Sequence, residues 1–154
     1  VTGIADMADM TVFSVPASTD RTHRRIGELL GQARVNFQPV PVRDGAWKFA
    51  VKREKYRHVT ELVDEALRAH GMTPAFAEGR WALVTLVGEG LRARVDEIGP
   101  RMVRLLDARG IAVEGEIRDT ISFSALVHEA QRIAAIAVLH DAVIASEDPS
   151  LAAN

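Results

Sequence analysis

Residues 81–91 read Trp81-Ala82-Leu83-Val84-Thr85-Leu86-Val87-Gly88-Glu89-Gly90-Leu91. The aliphatic and β-branched run has little polar alternation, so it predicts a strand covered on both faces. Gly88 and Gly90 then supply a turn into a helix. After it the pattern predicts a helix bearing Ile98, Met102, Leu105 and Leu106 and ending at Gly110, then strands at Ile111–Ile117 and Thr120–Val127 and an alanine-rich helix from about Glu129 to Val143. Pro100 falls inside the first of these helices, which is expected to start late or to kink.

An earlier version of the same order precedes it. Val1–Ala5 is β-prone and is expected to close in a polar turn over Asp6–Asp9 before a strand at Thr11–Val15 that Pro16 ends. Ile26, Leu29, Leu30 and Ala33 repeat at helical spacing within Ser18–Ala33. A strand weakened by Pro39 and Pro41 follows at Val35–Val42 and is expected at a sheet edge or as an irregular segment. An Asp44-Gly45 turn leads to a half-exposed strand, Trp47–Lys52. Val59, Leu62, Val63, Ala66 and Leu67 trace one face of a second helix that Gly71 stops, and Thr73–Ala77 closes the half before a hinge at Glu78-Gly79-Arg80.

The fold class is therefore α+β: two ferredoxin-like βαββαβ units, each an antiparallel sheet with helices on one face. The second unit is one strand short, and the strand at Val1–Ala5 is the available candidate. The first unit, 10–78, is then inserted in the second, 1–6 plus 81–145, and 146–154 is expected to be a flexible tail.

Composition narrows the function classes. With 47% hydrophobic and 26% charged residues the 154-residue chain has the mix of a soluble globular protein. A net charge of −2 gives no bulk attraction to nucleic acid or anionic membrane. The absence of cysteine removes disulfides, thiolate metal sites and a cysteine nucleophile, which suits a cytoplasmic setting. No apolar run is long enough to cross a bilayer. A start at Val1 rather than Met reads as a fragment or a processed chain.

Chemistry is sparse. Gly88-Glu89-Gly90 lacks the third glycine of a dinucleotide fingerprint, and Glu89 would oppose a phosphate. His23, His58, His70, His128 and His140 fall in no metal-ligand spacing, so no metal and no cofactor is expected. No acid–base pair or activated nucleophile stands out, and the chain alone is expected not to catalyse. Arginines cluster at two helix starts, Arg21, Arg24 and Arg25, and Arg92, Arg94, Arg101 and Arg104. RNA-binding domains share the βαββαβ order and stack bases on open-face aromatics. Phe37, Trp47 and Phe49 lack the motif of such a face, and a dimer-facing sheet is preferred.

Several segments together carry a resemblance. They are Val1-Thr2-Gly3-Ile4-Ala5, Arg34-Val35-Asn36-Phe37, Leu83 through Arg92, Gly110-Ile111-Ala112-Val113-Glu114, Thr120-Ile121-Ser122-Phe123-Ser124 and Leu139-His140-Asp141-Ala142. In order and spacing they resemble the paired ACT domains that form the regulatory part of aspartate kinases. The resemblance implies a non-catalytic allosteric module in lysine, threonine and methionine biosynthesis, a homodimer, and a partner aspartate kinase catalytic domain or subunit that phosphorylates L-aspartate with ATP. It also implies lysine or threonine as effectors, bound through Ser18, Thr19, Asp20, Asn36 and Gln38 in the first unit and Arg94, Asp96, Arg118 and Asp119 in the second. The alternative is a free-standing amino-acid-sensing ACT protein without a kinase partner.

The effector positions depart from the family. Its Asp-x-Pro-Gly loop is here Ser18-Thr19-Asp20-Arg21, its second Pro-Gly pair is Val95-Asp96, its Ser-Thr-Ser run is Ile117-Arg118-Asp119, and a strand asparagine is Ala112. Asn36 is the main effector-type residue retained. Acidic groups in place of amides and hydroxyls repel an effector carboxylate, so effector binding is expected to be altered or lost.

Overall fold

The structure is a computed structural model of the 154-residue chain, and it describes residues 3–15, 20–40, 47–68 and 75–145. Strands β1 (Gly3–Val15), β2 (Phe37–Val40), β3 (Trp47–Lys52), β4 (Ala75–Val87), β5 (Gly115–Arg118) and β6 (Ser122–His128) alternate with helices α1 (Asp20–Gln32), α2 (Tyr56–Arg68), α3 (Val95–Ala108) and α4 (Arg132–Ala145). The chain divides into two compact units, one of residues 9–79 and one of residues 1–8 with 80–154.

In the unit 9–79 the strand order is β2-β3-β1. β3 pairs antiparallel with β1, from Met10↔Lys52 to Val15↔Trp47, and with β2, from Phe37↔Val51 to Val40↔Lys48. Pro39 thus lies on an end strand, where a missing amide donor is tolerated. One face carries Phe13, Val15, Phe49 and Val51 against Ile26 and Leu30 of α1 and Val59, Val63, Ala66 and Leu67 of α2. The expected helical stripes therefore point into this core. Phe49 is fully buried and stacks parallel to Phe13 at 5.2 Å, while Phe37 and Trp47 pack on the same cluster. Their rings are engaged in packing, so they offer no open platform for bases.

In the other unit the order is β1-β4-β6-β5. β6 pairs antiparallel with β4, from Trp81↔His128 to Val87↔Ser122, and with β5, from Gly115↔Leu126 to Arg118↔Phe123. Val84, Leu86, Phe123, Ala125 and Val127 pack on Val95, Ile98, Met102 and Leu106 of α3 and Ala135 and Leu139 of α4, with Ile4 of β1 at the margin.

The two units repeat one another in local detail. α1 ends with Arg34 at φ 57° and an amide of Val35 bonded back to Leu30 O, and α3 ends with Gly110 at φ 73° and Ile111 bonded back to Leu106 O. In both the residue after the left-handed position is buried, as a Schellman-type closure requires. Likewise β3 and β6 each pass through one 3₁₀ turn, Arg53–Lys55 and Glu129–Gln131, into α2 and α4.

Four expectations are corrected. Asp6–Asp9 is no turn, because β1 runs unbroken from Gly3 to Val15 with Asp9 at φ 57°. Glu78–Arg80 is likewise inside β4, with Gly79 at φ 94°. The strand expected at Ile111–Ile117 begins only at Gly115, since Ile111 closes α3, and the next begins at Ser122 rather than Thr120. α3 begins at Val95 despite Pro100, the sixth residue of the helix, so the missing donor costs a single bond near its first turn. The Asp44-Gly45 turn, Gly71 and the tail 146–154 lie outside the described residues.

Candidate functional site

Of the four residues expected from the resemblance to serve an effector in the second unit, Asp96, Arg118 and Asp119 come together near the start of α3. A cavity of about 350 Å³ is lined by Ala93, Val95, Asp96, Arg118, Asp119 and Thr120. α3 supplies Asp96 in its first turn, and Arg118 is the last residue of end strand β5. Arg118 donates from Nη1 to Asp96 Oδ1 at 3.0 Å and from Nη2 to Glu116 Oε1. The hydrogen bond to Asp96, helped by Glu116, holds the guanidinium above its ordinary pKa in spite of partial burial.

Gly99 makes this reach feasible. A Cβ at that position would stand 3.2 Å from Arg118 Nε and 3.2 Å from the Phe123 ring. The bare helix surface lets the Arg118 stem cross α3 towards Asp96, while Phe123 fills the core beneath. Asp119 turns the chain: its amide donates to Ser122 O at 2.9 Å and its Oδ1 accepts the Thr120 amide at 2.7 Å. Arg94 faces its own helix instead, donating to Glu97 Oε1 at 3.1 Å.

The chemical consequence follows from this pairing. Among the described residues Arg118 is the one cation lining the cavity; it is committed to Asp96 and Glu116, and Asp119 adds negative charge beside it. An incoming carboxylate meets a neutralised guanidinium and two like charges. Glu116, half-buried beside Arg118, is the participant that sequence reasoning missed. Its signal was the i, i+2 spacing to Arg118, which puts both on one face of a strand.

The first unit gathers less. Ser18 and Thr19 lie outside the described residues, and Asp20 opens α1. Asn36 is exposed just ahead of β2, and Gln38 is half-buried within it, opposite Ala50. A concavity of about 550 Å³ in this unit lies elsewhere, between α1 and α2, lined by Arg21, Arg24, Arg25, Glu28, Leu29, Glu65 and Ala66. Among the described residues no cluster of three His, Asp or Glu side chains could hold a metal ion, and no helix is long and apolar enough to cross a membrane.

No protein-family model and no curated protein matches the sequence. Solved structures do match. The aspartokinase alpha and beta subunits share 24% identity over 92% of this chain and 93% of the matched one, with a TM-score of 0.78. The ligand-free regulatory subunit of aspartate kinase from Thermus thermophilus shares 19% over 92% and 97%, with a TM-score of 0.79. Aspartate kinase from Clostridium acetobutylicum shares 17% over 94% of this chain but 35% of its own, with a TM-score of 0.80. The α+β class expected from the sequence is thus the fold of these regulatory subunits of aspartate kinase, while the eight strands expected become six among the described residues, because the two strands flanking Asp6–Asp9 are one, β1, and the two flanking Glu78–Arg80 are one, β4.

Proposed function

We infer that the chain is a non-catalytic regulatory module for an aspartate kinase, built of two ACT units, 10–78 inserted in 1–6 plus 81–145, and acting as a homodimer. The observation that carries this reading is the end-to-end match to a regulatory subunit, 92% of this chain on 97% of that one. Its role is to shift the kinase between states, which an effector does only through unequal affinity for them. In the second unit the Arg118 pairing with Asp96 and Glu116 removes the free cation that a lysine or threonine carboxylate needs, so this site has lost or changed its effector. The module therefore serves the kinase as a structural or desensitised regulator.

Co-expression with the aspartate kinase catalytic subunit of the same genome tests this. A stable complex whose activity depends on the module is expected, with inhibition by lysine and threonine weak or absent. A module that stays apart from the kinase and leaves its activity unchanged overturns the assignment in favour of a free-standing amino-acid sensor.

A further inference from the structure

The groove between α1 and α2 shares only Arg21 with the segment set against the family's effector loop, and its other lining residues have no part in the regulatory reading above. Arg21, Arg24, Arg25 and Glu28 recur at three- and four-residue spacing, so they share one face of α1, opposite the buried Ile26 and Leu30. All three arginines are exposed. Among the described residues Arg21 and Arg24 form no ion pair or hydrogen bond, and Arg25 has only a loose contact to Glu28 at 3.7 Å. Two of the arginines near the start of α3 behave differently: Arg92 is held by Glu89 at 2.7 Å and Arg94 by Glu97 at 3.1 Å.

This arrangement works against α1 in isolation. Like charges three and four residues apart repel, and cations in the first turns oppose the helix dipole. Across the groove no ion pair closes between α1 and Glu65 among the described residues, so the guanidinium forks remain available. Arg forks match phosphate oxygens bidentately. Leu29 and Ala66 supply a small apolar floor, and about 550 Å³ is the size of a small-ligand site. Glu28 and Glu65 stand on the same lining and oppose a long continuous polyanion. A compact, multiply charged ligand fits this pattern and an RNA strand does not.

We propose that the α1–α2 groove binds a small phosphate-bearing anion through Arg21, Arg24 and Arg25. Calorimetric titration of the full chain with inorganic pyrophosphate at physiological salt tests it. Saturable binding is expected, weakened at least tenfold in the Arg21→Ala/Arg24→Ala variant and unchanged in Arg101→Ala/Arg104→Ala, whose arginines lie on α3. Melting curves of both variants separate lost binding from lost folding, since these side chains are exposed. Absence of saturable binding at millimolar pyrophosphate overturns the proposal. So does equal weakening in the α3 variant, or tighter binding of a short single-stranded RNA than of pyrophosphate.

Discussion

Asp6 of the first strand accepts a hydrogen bond from Nη1 of Arg132, at the opening of the last helix, at 2.7 Å across 126 residues of sequence. Both side chains are about one-third exposed, at 33% and 30%. The contact joins the first and last regular elements of the same compact unit and, with Ile4 on the core, fixes where the opening segment lies.

The ion pair is half-solvated, so its expected worth is about 0.5–1 kcal/mol. Asp6→Ala and Arg132→Ala should each lower the unfolding free energy by that much. The double variant should cost little more than either alone, because the pair is lost once. Urea unfolding of the four proteins measures the coupling, and strict additivity would show the contact to be idle in solution.

Gly99→Ala should destabilise by up to about 2 kcal/mol. Alanine gains about 1 kcal/mol of helix propensity. The added methyl meets the Phe123 ring at 3.2 Å, and overpacking of a filled core costs about 1–3 kcal/mol. Arg118 can swing aside but Phe123, fully buried, cannot. Thermal unfolding checks the sign, and a rise in melting temperature would contradict the close packing of α3 on β6.

The order of elements was legible because both units write it in side-chain patterning. Trp81 to Val87 is apolar but for Thr85, as a strand covered on both faces is, and Val59, Val63 and Leu67 recur at helical spacing. What misled were residues whose local preference is overruled by distant partners. Asp6 and Asp9 suggest a turn, yet Asp6 gains Arg132, and the ladder from Met10↔Lys52 onward keeps the chain extended. Ile111 looks like a strand residue, yet its amide is spent closing α3. At the candidate site, Asp96, Arg118 and Asp119, singled out through the family resemblance, lie on one cavity. The part of Glu116 was not legible, because it appears only once β5 has a face.

Acid should release the Glu89–Arg92 contact. The hydrogen bond from Arg92 lowers the Glu89 pKa below its ordinary 4.5, and the paired charge adds to this against slight desolvation. A depressed folded-state pKa contributes stability that is present above the unfolded value and lost as pH falls through the folded one. The window therefore lies below about pH 4.5, and since the pair is fully exposed the effect is small. Carboxyl chemical shifts should place the Glu89 midpoint below that of an unfolded reference, and Arg92→Ala should return it towards 4.5.

Trp81→Phe should cost less than burial of the indole suggests. Trp81 is 4% exposed and stacks on His128 with ring centroids 4.1 Å apart. Its Nε1 is buried with no hydrogen-bond partner. Phenylalanine keeps an aromatic ring in place and removes that donor, which offsets part of the lost apolar area. A change of less than about 1.5 kcal/mol is expected, because removing a buried unpaired donor returns about 1–3 kcal/mol against the loss of the pyrrole ring. A larger loss in chemical denaturation would mean that the indole nitrogen is satisfied in solution.

Removing charge from the α3 cavity should restore affinity for an amino-acid carboxylate. Asp96→Asn frees Arg118 from the partner that binds it at 3.0 Å, and Asp119→Asn removes a second negative charge while leaving an oxygen for the Thr120 amide. A unit charge about 4 Å away is worth ~1 kcal/mol even at the dielectric of water. The double variant should therefore bind lysine or threonine about tenfold more tightly than the parent, ~1.4 kcal/mol. Glu116 remains as a competitor for Arg118, so the gain should grow when Glu116→Gln is added. Calorimetry on the parent and the variants reads this directly. Micromolar binding of both amino acids by the parent, or no change across the series, would show that Arg118 does not govern effector binding in this unit.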